Sequence, residues 1–226
     1  MAFSCCFTCC PLIAQPSRER EPLNPQHSRN CQRIRNVNFT KETSLIMKRV
    51  NVPELDALFN SIAETFNKQQ DHCLSLREAT QTLRNSYDCS PVSSLSVCME
   101  KILQEHSAYN VQVCMEGYRF WLDVGVEEVP QKLKQTQQQV EKLNFATKGI
   151  VSKTIEEMIY SVHQCQDSLM EKVKDSSPEY LDWIRLESNL KENIEKINQA
   201  QKYSMEYREE ADYVLLNMAK SANVTL

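Results

Sequence analysis

The chain has 226 residues, 41% of them hydrophobic and 25% charged, with a formal net charge of −4. That length and balance suffice for one sizeable core and do not require a second domain. Only three glycines occur, at Gly117, Gly125 and Gly149, few for tight hairpins or phosphate-cradling loops, so a helical fold is expected.

Charge is unevenly spread. Residues 1–50 hold eight Lys/Arg against three Asp/Glu, net +5, which leaves 18 against 27, net −9, for the rest. An acidic helical body has no positive stripe for a phosphate backbone, so nucleic acid is not an expected partner. No run of eighteen uncharged apolar residues is present, so no helix is expected to span a bilayer and any membrane contact should be peripheral.

The N-terminal tail, residues 1–50, reads as a disordered, cysteine-rich and basic segment. Pro11, Pro16, Pro22 and Pro25 crowd its first half among Ser, Arg and Gln, a composition that resists packing. Cys5, Cys6, Cys9 and Cys10 stand beside Phe3, Phe7, Leu12 and Ile13, followed by Arg18, Arg20, Arg29, Arg33 and Arg35. Thiols so clustered suit S-acylation, with the chains buried in lipid and the arginines facing anionic headgroups. Residue 2 is alanine, which excludes N-myristoylation.

Three other readings compete for this segment, one of them an unmodified disordered tail. As a secretory signal cleaved after Ala14 it lacks a charged start and a clean apolar run, although Asn38-Phe39-Thr40 and Asn223-Val224-Thr225 fit the glycosylation pattern. As a zinc knuckle, Cys6, Cys9, His27 and Cys31 have plausible spacing but no glycine or turn to hold the thiolates. No metal or cofactor is therefore expected.

Residues 51–222 read as a helical domain. Each of Pro53, Pro91, Pro130 and Pro178 opens an amphipathic stretch, as suits a residue tolerated in a first helical turn. Asn51, Ser90 and either Ser176 or Ser177 are the expected caps. The first seam is Phe59, Ile62, Phe66, Gln69, Cys73, Leu76, Thr80, Leu83 and Tyr87, at alternating spacings of three and four.

The second seam runs Val92, Leu95, Met99, Ile102, His106, Tyr109 and Val113. The third runs from Val129 through Leu133, Thr136, Val140 and Leu143, slips near Gly149 as a kink or break would, and resumes from Val151 to Leu169. The fourth has Leu190, Ile194 and Ile197, then Tyr207, Ala211, Val214 and Met218. Short connectors after the first and third helices predict two antiparallel hairpins in an elongated, up-down-up-down four-helix bundle. Long seams of this kind also allow homodimerisation through exchanged helices.

Chemistry is sparse in this domain. His27, His72, His106 and His163 stand far apart, and no nucleophile elbow, P-loop or dinucleotide fingerprint occurs. His106 is expected to be a hydrogen-bonded core histidine, and the scattered Cys73 and Cys165 to be core residues. The aromatic patch of Tyr118, Phe120 and Trp121 is expected either to close the core or to contact a partner. The expected function is a non-catalytic helical adaptor or scaffold on the cytoplasmic face of a membrane, binding protein partners through helix faces. The alternative is a secreted four-helix ligand lacking its first 14 residues.

Overall fold

A computed structural model describes residues 44–152, 154–177 and 179–225. The chain is mostly helical, in the order α1 (Pro53–Ser86), α2 (Leu95–Glu105), a 3-10 turn (Ser107–Tyr109), β1 (Val111–Glu116), β2 (Arg119–Val124), α3 (Gln131–Ile150), α4 (Thr154–Gln164), α5 (Gln166–Asp175) and α6 (Tyr180–Ser221).

The first seam is buried throughout, except for half-buried Thr80. Pro53 occupies the first turn of α1, as its sequence position predicts. Asn51 is not the cap: it sits at φ +60, and Val52 takes the cap position. Asp56 instead reaches back to accept the Val50 N–H at 2.8 Å, so a first-turn carboxylate supplies the anchoring bond.

The expected two-hairpin bundle is corrected in its second and third members. The second helix is only 11 residues long and starts at Leu95, capped by Ser94 Oγ accepting the Val97 N–H. Pro91 lies in a turn closed by Ser93 N–H donating to Ser90 O, and Val92 is 93% exposed. Tyr109 and Val113, expected to prolong that helix, stand at the end of the 3-10 turn and in β1. The third helix breaks after Ile150 and again at Cys165, giving α3, α4 and α5.

Three rods form the body. α1 and α3 are antiparallel, for Tyr87 meets Thr136 while Gln69 meets Ile150. α1 and α6 are parallel, for Phe66 stacks on Tyr207 and Arg77 pairs with Glu210. α6, about 63 Å long at ~1.5 Å per residue, touches every other helix and β1. Arg208 and Glu156 tie it to α4.

Several departures from helix are met by side chains, some of them from another element. At the α3 break, Gln69 Nε2 donates to the freed Ile150 carbonyl at 3.0 Å. Residues 44–50, assigned from sequence to the tail, are extended and lie between α1 and α6. Asn67 accepts the Leu45 N–H and donates to its carbonyl, and Asn193 does the same for Lys48 at 2.8 and 2.7 Å. Ser176 and Ser177, expected to cap α6, instead donate back to Val173 O at the end of α5.

The β1–β2 hairpin turns on Gly117 and Tyr118, with Gly117 at φ +57, the one central residue of the turn in the left-handed region. Glycine at the first central position suits a type II′ hairpin turn. The pleat sends Val111, Val113, Met115, Phe120, Leu122 and Val124 toward the core. The outer edge of β2 is satisfied by α3: Asn144 Oδ1 accepts the Phe120 N–H, and Gln137 Nε2 donates to Leu122 O.

Two stability effects follow. Asn193→Ala should lower stability by about 1–3 kcal/mol by orphaning the Lys48 backbone, and amide exchange at Lys48 should accelerate. At Gly149 an added Cβ would overlap the His72 ring, so Gly149→Ala should cost about 1–3 kcal/mol. In a His72→Ala background the same change should instead stabilise by about 0.5–1 kcal/mol, as glycine removal from a helix does; denaturant titration of the four proteins closes the cycle.

Candidate interaction site

A buried polar cluster joins the ends of α1, α2 and α3. Tyr87 Oη lies 2.9 Å from His106 Nε2 and 2.6 Å from Thr136 Oγ1, and Thr136 donates onward to Lys132 O at 2.9 Å. Thr136 spends its single proton on that carbonyl, so Tyr87 must donate to Thr136 and accept from His106 Nε2–H. The chain of donors is thereby fixed in one direction, from imidazole to phenol to hydroxyl to backbone. Lys132 caps it from above, its Nζ 4.2 Å from the Tyr87 ring centroid and 2.6 Å from Glu105 Oε1.

Every member of this arrangement is buried or engaged with protein, and the chain ends on a backbone carbonyl. Burial pushes the His106 pKa down, with Lys132 acting in the same direction and Glu105 opposing. The buried thiols are equally restrained: desolvation foremost pushes Cys73 and Cys98 up to about 12. For Cys73 the nearby Glu210 carboxylate adds to the effect, so both remain protonated at neutral pH.

Two shallow clefts open on the α1–α3 side. One, of about 350 Å³, is lined by Gln135, Gln138 and Gln139 with Lys132 and Thr82. Gln135 and Gln138 are exposed on this face of α3, whereas Gln137 between them donates to Leu122 O. The other, of about 270 Å³, lies at the α3–α4 break beside His72 and Gly149. Among the described residues no cluster of three His, Cys, Asp or Glu side chains could hold a metal ion. No helix there is long and apolar enough to cross a membrane.

The sequence-predicted residues fall in two groups. Cys5, Cys6, Cys9, Cys10, Arg18, Arg20, Arg29, Arg33 and Arg35 lie outside the described residues, as does the alternative zinc set. Tyr118, Phe120 and Trp121 are all in the hairpin, but the pleat divides them. Phe120 is buried and closes the core, whereas Trp121 lies half-buried on the outer face, opposite Cys114 and beneath the Arg119 guanidinium at 5.4 Å. Tyr118 stands at the turn.

A second surface was not foreseen. At the start of α6, beyond the reach of α1, Tyr180 and Leu181 are each 75% exposed and Ile184 is 45% exposed. At about 100° per residue these three share one face of the helix, opposite buried Leu186 and Leu190. Trp183 packs partly against the core between the two faces. The signal in the sequence is the run Tyr-Leu-Asp-Trp-Ile, which holds more apolar residues than one seam can bury.

No family model, curated protein or solved structure matches the chain.

The His106 chain gives a pH test. With the folded-state pKa below the ordinary imidazole value, the unfolded chain binds its proton first as pH falls. Stability should therefore decline from the ordinary histidine range downward until the folded pKa is reached. Urea midpoints of the wild type should fall over this window more steeply than those of His106→Gln, which has no ionisation there.

Proposed function

We propose that the chain is a non-catalytic helical adaptor, held on the cytoplasmic face of a membrane by acyl groups on Cys5, Cys6, Cys9 and Cys10. Arg18, Arg20, Arg29, Arg33 and Arg35 meet anionic headgroups, and two signals together make a stable anchor where one acyl chain would be marginal. The body presents protein-binding faces.

The observation that carries the adaptor reading is the apolar tip of α6, where Tyr180, Leu181 and Ile184 stand exposed on a helix already buried along its opposite face. Tyrosine with aliphatic neighbours supplies contact area at low entropy cost, which suits a partner's groove. The internal polar groups support a structural role, since His106 is committed to Tyr87 and the buried cysteines stay protonated.

Acyl-exchange mass measurement on the full-length protein from cells tests the anchor. Mass should appear at the four terminal thiols and vanish, together with the membrane fraction, when all four are changed to serine. No added mass on an intact N-terminus would overturn the anchor, and loss of residues 1–14 with a glycan on Asn38 would favour the secreted ligand. For the tip, Leu181→Asp with Ile184→Asp should change stability by no more than about 0.5 kcal/mol each, while proximity labelling loses the neighbours that the wild type marks.

A further inference from the structure

Among the described residues, hydrogen bonds from another element reach the β2 edge of the hairpin and not the β1 edge, although α6 packs near β1. Phe120 N–H and Leu122 C=O point to α3, away from β1. In the register Met115↔Phe120 and Val113↔Leu122, these are then the non-hydrogen-bonded pairs of the ladder, in which both residues aim their backbone groups outward. Met115, Val113 and, by alternation, Val111 therefore direct their N–H and C=O groups away from β2. Among the described residues no hydrogen bond from another element reaches those groups.

An unpaired edge is a template for a further strand, and soluble proteins usually blunt one with lysine, proline or a bulge. β1 has none of these. Its sequence is Val-Gln-Val-Cys-Met-Glu, and its register with β2 is unbroken over six pairs.

We infer that the β1 edge pairs with the same edge of a second copy of this chain, antiparallel and centred on Val113, to give a continuous four-stranded sheet. The self-complementarity of the strand selects this occupant. A two-fold axis at Val113 sets Val113 against Val113 and Val111 against Met115, the register in which all three outward residues of each copy find partners in the other. The apolar face of one hairpin then continues into that of the next. On the outer face Gln112 meets Cys114 and Glu116 meets Asn110, so no like charges face each other. Such an interface is isologous and closes on itself, leaving β2 capped by α3 in both copies.

Charge exchange across the new pairs tests the register on the full chain under reducing conditions. Gln112 is exposed and Cys114 half-buried, so both positions accept charge in the monomer. Sedimentation over a wide concentration range should show a dimer for the wild type. Gln112→Lys with Cys114→Lys places lysine opposite lysine twice and should weaken the dimer about tenfold relative to Gln112→Lys with Cys114→Glu, which places lysine opposite glutamate twice. Circular dichroism of the two variants should match, which separates pairing from folding. A wild type that stays monomeric overturns the proposal. So does a dimer that both variants preserve equally, because its interface must then lie elsewhere. A monomeric wild type whose β1 amides become protected by an added extended peptide would assign the edge to a foreign strand and likewise overturn it.

Discussion

At many of the places where non-helical chain meets the helices of this protein, a side-chain amide takes up its backbone groups, alongside Asp56 at Val50, Lys196 at Ile46 and Arg84 at Ser93. Asn67 and Asn193 clasp residues 45 and 48, Asn189 accepts the same segment by donating to Arg49 O, and Gln69 holds the α3 terminus. Asn144 and Gln137 finish the edge of β2, and Asn217 takes the Ser96 N–H at the start of α2. A carboxamide offers one donor and one acceptor at peptide-like spacing, so on a helix face it stands in for the neighbouring strand that an extended segment lacks. Without these groups the extended segment, the broken third rod and the hairpin would each bury unpaired peptide groups, at roughly 1–3 kcal/mol apiece.

The amides also explain why α6 can serve as a common spine. Its length lets it touch α5 and residues 44–50 near one end and α1, α2 and β1 near the other. Tyr207, buried and stacked between Phe66 and Tyr203, fixes its register on α1, and the Arg77–Glu210 pair lies one turn further on. The hairpin sits by the end of α1, at the level of Gln137, whereas the apolar tip of α6 projects beyond the beginning of α1. A contact at one surface therefore leaves the other free.

Most of the helical frame was legible from periodicity. The seams of α1, α3 and α6 bury the residues that their spacing marks, because a stripe every three and four residues can be satisfied only by a packed helix face. The hairpin was hidden by coincidence: Ile102, His106, Tyr109 and Val113 prolong the helical spacing past the point where the backbone changes. The competing signal was alternation, with Val111, Val113 and Met115 mirrored by Phe120, Leu122 and Val124 about Gly117 and Tyr118. Pro91 misled for a related reason, since the fixed φ that suits a first helical turn equally suits the second position of a β-turn. The amide contacts could not be read at all, for an Asn on a helix announces nothing about which distant backbone it will meet.

The proposed acylation would have to select among ten cysteines, and the physical chemistry of the body would supply part of that selection. The thiolate is the nucleophile, and burial in a protein interior disfavours it. Cys73 packs at the α1–α6 junction beside the Glu210 carboxylate, and Cys98 packs beneath the connector after α1; both are held as thiols far above neutral pH. Folding thus withdraws Cys73 and Cys98, whereas Cys165, which periodicity also places in the core, is only half-buried at the break between α4 and α5. The density of cysteine in the first ten positions makes the terminus the part of the chain where the proposed acyl transfer would concentrate.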